Sequence, residues 1–262
     1  MPAKILLEDL LVTRNLVESR SLAQRLVMAG QVRVNGQVVL QATTSVSPDV
    51  DLQIDRGPRY VSRGGEKLEA ALNTFTIRVT GRVCADVGAS TGGFTDCLLQ
   101  FGAARVYAID VGEGILDWKL RQDARVMVME GTNARYVSSL PEPVSLVTVD
   151  ASFISLKTLL PVVRNWVLDR GSEVVTLVKP QFEVGRKQAA RSKGVIRDSL
   201  AHRTVLLDVL GFAQQNGFAA IGVIRSPLTG PKGNAEFLAH LLVGGQPCPD
   251  LEDLISKAVT VI

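Results

Sequence analysis

Cysteine, histidine and aromatic residues are all scarce in this 262-residue chain, which has three Cys, two His and 5% Phe, Trp and Tyr. Cys84, Cys97 and Cys248 are odd in number and form no C-x-x-C pair. That excludes a disulfide framework and a cysteine zinc site, and it fits a reducing, cytoplasmic setting. His202 and His240 stand isolated and read as surface or packing residues, so no metal is expected. Long apolar runs are missing too: no stretch of about 18 apolar residues occurs, and the N-terminus carries acids at positions 8, 9 and 18 without an apolar core of its own. Export and membrane spanning are therefore not expected. A strong charge of one sign is also lacking, since the net charge is +3 and the pI is about 8.8. This permits a nucleic-acid partner without demanding one. What remains, 46% hydrophobic and 21% charged residues, describes a folded globular chain with room for one large domain, or an ordinary domain with a small appended module.

The first sixty residues carry such a module. Apolar residues at 6, 7, 10 and 11 and again at 22, 26 and 27 keep a helical period that breaks near Thr13-Arg14-Asn15, which predicts two short helices. Residues 32–39 then alternate around Asn35-Gly36, the strongest short hairpin signal, and a second strand pair is expected around 44–46 and 50–54. Helix, helix and hairpin, with Ser19-Arg20, Arg25, Gly30 and Val34-Asn35-Gly36 in that order, resemble the S4 domain, an RNA-binding module. The resemblance spans roughly residues 5–57 and implicates Arg14, Arg20, Arg25 and Arg33 in gripping RNA phosphates; the alternative is that these arginines only solvate a helix face. Gly57-Pro58 punctuates the chain, giving an RNA-binding domain at 1–58 and a linker at 59–64.

Beyond it, buried-strand runs at 82–87, 105–111, 125–129, 144–150, 173–179 and 219–224 alternate with helical stretches at 92–101, 155–168 and 200–216, and a last strand is read at 237–243. Alternation of this kind predicts a parallel sheet covered by helices, an α/β doubly wound, Rossmann-like domain at 65–246 with a tail at 247–262. Ligands in such sheets sit beyond the carboxyl ends of the strands. After the first strand comes Asp86-Val87-Gly88-Ala89-Ser90-Thr91-Gly92-Gly93-Phe94, a turn in which glycines let backbone approach a ligand closely. It departs from G-x-G-x-x-G, which weakens a nicotinamide or flavin reading, and it resembles motif I of class I methyltransferases, which implies S-adenosylmethionine as cofactor. Asp110 ends the second strand where a carboxylate accepts hydrogen bonds from ribose hydroxyls, or merely caps a helix. Asn133, after the third strand, is a candidate for the adenine edge or a turn residue.

Four charged residues complete the pattern. Asp150 and Lys179 end the fourth and fifth strands, Glu236 opens the last, and Lys67 precedes the domain in Ser62-Arg63-Gly64-Gly65-Glu66-Lys67. The order Lys67, Asp150, Lys179, Glu236 around this glycine turn resembles the FtsJ-like ribose 2′-O-methyltransferases. The blocks at 62–68, 149–156, 177–183 and 232–236 resemble the TlyA family, in which an S4 domain is fused to that fold and some members carry a haemolysin label. The resemblance spans nearly the whole chain and implies methylation of ribosomal RNA. The task of such a catalyst is to align a weakly acidic hydroxyl with an activated methyl and to remove its proton. On this reading Lys179 is the base, in a setting where burial and a second ammonium lower the proton affinity of an amine. Lys67 orients the oxygen, and Asp150, also beside the cofactor, holds the amines together with Glu236. Two structural ion pairs are the alternative. Arg63 and a cationic segment with Arg186, Lys187, Arg191 and Lys193 are further RNA candidates, the segment otherwise being a solvated loop. Asp150-Ala151-Ser152-Phe153 lacks the Pro-Pro-aromatic of amino-methylating enzymes, and Pro247-Cys248 falls beyond the last strand, away from where a carbon-5 enzyme places its nucleophile. The alternatives of another class are an RNA- or ribosome-binding scaffold without catalysis, and a haemolysin.

Overall fold

The computed structural model describes residues 3–55, 57–168, 170–184 and 194–260. The chain divides into two compact units, Met1–Arg59 and Tyr60–Ile262.

In the first unit, helices Leu7–Thr13 and Arg20–Met28 bury Leu7, Leu10, Leu11, Ala23 and Val27 against Val32, Ala42 and Val46. Asn15, in the left-handed region at φ 54°, ends the first helix, and the Ser19 hydroxyl accepts the Leu22 N–H to start the second. Strands β2 (Val32–Val34) and β3 (Gln37–Val38) form the expected hairpin, with positive φ at Asn35 and Gly36, as a primed two-residue turn requires. The second strand pair is not formed. Ser45–Val46 (β4) pairs with Ile5–Leu6 (β1), and Leu52–Ile54 (β5) joins the free edge of β2. The open edge of a hairpin already in place recruits β5, and the Asn35 side chain fixes the register by accepting the Asp51 N–H at 2.9 Å.

The second unit is built on seven strands: β6 (Val83–Val87), β7 (Arg105–Ile109), β8 (Val126–Met129), β9 (Leu146–Val149), β10 (Glu173–Val178), β11 (Phe218–Arg225) and β12 (Phe237–Val243). Their order is β11-β12-β10-β9-β6-β7-β8, and β12 runs antiparallel to both neighbours. Successive residues of a strand point to opposite faces, so Cys84, Val106 and Val175 enter one core while Ala85, Tyr107 and Val174 enter the other. Helices Gly64–Thr74 and Gly93–Gln100 cover the first face. Helices Leu156–Arg164, Ser199–Gln215 and Leu251–Val259 cover the second. Strand β6 lies between β7 and β9, so the connections on its two sides diverge and open a crevice above its carboxyl end. Among the described residues no helix is long and apolar enough to cross a membrane.

Two segments differ from the sequence reading. Tyr60, in the expected linker, is buried at 2% exposure; its ring lies where a Cβ on Gly65 would come within 2.2 Å of it, and the adjacent Val61 N–H donates to the Asp96 carboxylate. Residues 251–259, in the expected tail, form a helix whose Ile255 and Ala258 join the core. Ile255→Ala is therefore expected to cost roughly 2–4 kcal/mol, read as a fall in the urea midpoint at unchanged slope. An unaltered midpoint would place this helix outside the cooperative unit.

Candidate active site

The glycine turn leaves the tip of β6 through backbone that side chains disfavour. Gly88 has φ 82°, Ser90 50° and Gly92 98°. A Cβ on Gly88 would lie 2.6 Å from the Asp150 carbonyl oxygen, one on Gly92 2.1 Å from Leu120, and one on Gly93 2.3 Å from the Ser62 hydroxyl. The turn is thus packed backbone to backbone against the 62–65 segment and the Asp150 loop. Asp110, at the tip of β7, receives the Ser90 and Gly112 N–H groups at 2.8 Å each, which ties the turn to the second strand.

Two cavities open on either side of the turn. One, of about 480 Å³, is lined by Ser62, Arg63, Lys67, Thr91, Gly93, Phe94, Asp150 and Lys232 among others. The other, of about 540 Å³, is lined by Asp110, Val111, Ile115, Asn133, Ala134 and Phe153 among others. Gly88, Ser90 and Asp150 border both. Asn133 also caps the 3-10 turn Ala134–Tyr136 by accepting the Arg135 N–H.

Of the residues expected at the cofactor, Asp86 and Gly92 line neither cavity. Asp86 lies inside β6, where it accepts the Thr95 hydroxyl at 2.7 Å and the Thr148 hydroxyl at 2.9 Å. It thereby fastens the helix after the turn to β9. Burial pushes its carboxyl up to about 7 against the two hydroxyl donors. A carboxyl so raised keeps its proton in the folded chain between about pH 4 and pH 7, where the unfolded chain has lost it, so stability declines as pH rises through that window. Asp86→Asn is expected to flatten this decline, measured as the difference between the urea midpoints at pH 5 and pH 8. Equal differences in parent and variant would contradict it.

The four charged residues of the sequence pattern converge as two ion pairs. Parallel pairing of β9 and β10 brings their tips side by side, and Lys179 Nζ sits 2.6 Å from Asp150 Oδ1 and 2.9 Å from the Ser152 hydroxyl. From the helix Gly64–Thr74, Lys67 Nζ reaches Glu236 Oε2 at 2.6 Å. The Glu236 side chain is fully buried, and its Oε1 has no hydrogen-bond partner among the described residues. Lys67 and Asp150 line the first cavity, with Glu236 and Lys179 as their respective partners.

Sequence reasoning missed three neighbours that lock this arrangement. Phe153, at φ 65° and 90% exposed, has its ring centroid 4.9 Å from that of Phe182. Glu183 accepts the Ser155 hydroxyl at 2.6 Å and the Leu156 N–H at 2.8 Å, and burial raises its carboxyl. With Lys179 they cross-link the loop after β9 to the segment after β10 at three successive points. The adjacency of two charged strand tips is the signal that leads to them.

The arginines are placed unequally. Arg14 donates to the Pro48 and Val50 carbonyls, and Arg20 forks onto Asp9, so both spend donors within the first unit. Arg25 is exposed, and Arg33 donates to the Gly36 carbonyl at 3.3 Å. Arg63 is exposed at the first cavity. Arg186, Lys187, Arg191 and Lys193 lie outside the described residues. Both histidines are buried and partnered, His202 with the Ile196 carbonyl and His240 with Glu173. Cys248 borders neither cavity.

Comparison with known proteins matches this geometry. A family model described as FtsJ-like methyltransferase covers residues 60–242, and one described as the S4 domain covers residues 6–51. The 16S/23S rRNA (cytidine-2′-O)-methyltransferase TlyA of Mycobacterium tuberculosis is 44% identical over 257 residues, 95% of each chain. Hemolysin A of Brachyspira hyodysenteriae is 39% identical over 90% of this chain and 99% of its own. The solved structure of a candidate hemolysin from Streptococcus thermophilus superposes with a TM-score of 0.72 at 41% identity, over 98% of this chain and 96% of that one. With a methyltransferase sheet order, a glycine turn at its switch point and these relatives, the chain belongs to the FtsJ-like methyltransferase family and carries an S4 domain ahead of that fold.

Proposed function

We propose that the protein transfers a methyl group from S-adenosylmethionine to a ribose 2′-hydroxyl of ribosomal RNA. The observation that carries this reading is the meeting of the Lys67–Glu236 and Asp150–Lys179 pairs beside the glycine turn.

The residues fit the cofactor. Two cavities joined across Gly88, Ser90 and Asp150 suit an elongated ligand with a polar amino-acid end and a nucleoside end, and each lies in the size range of small-molecule sites. Asp110 would take the ribose hydroxyls, and the Asn133 side the adenine. Gly88, Ser90, Thr91, Gly93 and Phe94 would border the amino-acid end, with Asp150 between the two. When bound, the cofactor supplies a methyl already activated on a sulfonium sulfur. The protein is left with alignment and proton removal. Lys67, fixed by a fully buried carboxylate, orients the hydroxyl oxygen. Lys179, held by Asp150 and Ser152, takes the hydroxyl proton in its neutral amine form, having given up its own proton to solvent beforehand. Arg25, Arg33 and Arg63 would meet RNA phosphates, with smaller roles for the internally engaged Arg14 and Arg20. Removing the target nucleotide from its stack would give its ribose access to the cavity.

The test is a comparison of 2′-O-methylation across ribosomal RNA from cells with and without the protein. The expected result is one or more methylated riboses that vanish with it. Identical maps in all RNA would overturn the proposal in favour of an RNA-binding scaffold.

A further inference from the structure

Two cations at the first cavity are left over once the ion pairs are assigned. Lys67 is neutralised by Glu236 and Asp150 by Lys179, whereas Arg63 and Lys232, both exposed and both lining that cavity, have no acidic partner among the described residues. Lys232 is also held where lysine is disfavoured. Its φ is 59°, and the following Gly233 has φ 80°. The turn is fixed by the Gly230 N–H, which donates to the Asn234 carbonyl, and by the Ile196 N–H, which donates to the Asn234 Oδ1. Glycine would adopt this backbone without strain, and non-glycine residues kept in such conformations cluster at ligand sites. The strain leaves an ammonium at the rim of a cavity that already contains Lys67.

We infer that Lys232, together with Arg63, forms a clamp for a phosphodiester of the RNA, the one on the 3′ side of the nucleotide being modified. The inference rests on the proposed function. In a ribonucleotide the 2′-oxygen and the 3′-phosphate hang from adjacent carbons, so a hydroxyl brought to Lys67 carries a phosphodiester of one negative charge into the same cavity. Two unpaired cations there meet that charge without a competing carboxylate, because Asp150 is already occupied by Lys179. Arginine can fork onto the phosphate oxygens and lysine can approach them as a compact charge. A clamp of this kind sets the sugar's register over the amines and reads no base.

The same anion-binding chemistry could serve the carboxylate of the cofactor, and the experiment separates the two sources. Lys232→Gly, Lys232→Arg and the parent are compared for binding to purified 16S and 23S ribosomal RNA across a salt series, for binding of S-adenosylhomocysteine, and for urea midpoint. Lys232→Gly is expected to bind RNA about tenfold more weakly, with a salt slope shallower by about one. Its nucleoside affinity should be unchanged and its midpoint equal or higher, since the backbone strain is relieved. Lys232→Arg should restore the slope. An unchanged RNA slope in Lys232→Gly would overturn the clamp, as would a loss of S-adenosylhomocysteine affinity in step with RNA. If the parent transfers no methyl to any ribosomal RNA while the slopes differ as expected, the proposed reaction is wrong and the clamp stands as an RNA contact.

Discussion

Lys179→Ala is expected to lower methyl transfer by roughly 10²–10⁴-fold, the range lost when a positioned general base is removed. Cofactor affinity should change little, because Lys179 borders neither cavity. The fold should survive at a cost: the Asp150 side chain retains about a fifth of its exposure, but the Oδ1 that faces the amine is buried, so losing its partner should cost roughly 1–3 kcal/mol. Single-turnover rates with saturating cofactor and RNA measure this directly. A variant that keeps its rate would leave the Asp150–Lys179 contact as a structural pair only. A variant that loses cofactor affinity in proportion to rate would move Lys179 from the reaction to the binding of the donor.

Gly88→Ala is expected to be damaging twice over. Its φ of 82° disfavours any side chain, and the new methyl would sit 2.6 Å from the Asp150 carbonyl oxygen and 2.9 Å from the Asp150 carbonyl carbon. These are backbone atoms at the end of a buried strand and cannot turn aside as a flexible side chain would. Strain and displacement together should cost roughly 2–4 kcal/mol. They should also abolish measurable cofactor binding, since Gly88 borders both cavities. Gly114→Ala is the matched control. Gly114 also has positive φ, yet nothing lies within 4 Å of its Cβ position, so it should cost only about 1 kcal/mol and keep transfer. Equal losses from the two substitutions would show that backbone conformation, and not the close approach to Asp150, makes glycine necessary at position 88.

The parts of the fold that were legible in the sequence are those in which a local pattern and the tertiary result coincide. Buried-strand runs revealed β6 to β10 because a sheet covered on both faces keeps its strands largely apolar. For the same reason a charge at a strand end stands out, and Asp110, Asp150 and Lys179 were found that way. For Asp86 the bracing role was not legible: sequence alternation says that it faces one side of β6 but not that Thr95 and Thr148 close over it. The partners of the tetrad depended on helix Gly64–Thr74, whose first residue, Gly64, reads as the end of the linker. The glycine at 65 is there because the Tyr60 ring leaves no room for a Cβ. The terminal helix was hidden behind Pro247 and Pro249, and its Ile255 and Ala258 become a core stripe only once the sheet exists to receive them. In the first unit the error was one of pairing: β4 and β5 are real strands, but each found an edge presented by an earlier element rather than the other.

The central claim is that the transferred methyl ends on a ribose oxygen, and its position can be read chemically. A 2′-O-methyl blocks the attack of that oxygen on the neighbouring phosphodiester, so alkaline hydrolysis leaves the modified linkage intact. Ribosomal RNA incubated with the protein and S-adenosylmethionine labelled in its methyl group should yield, after complete alkaline hydrolysis, label only in alkali-resistant dinucleotides, and none with the Lys179→Ala protein. Label recovered in mononucleotides would place the methyl on a base and contradict the account.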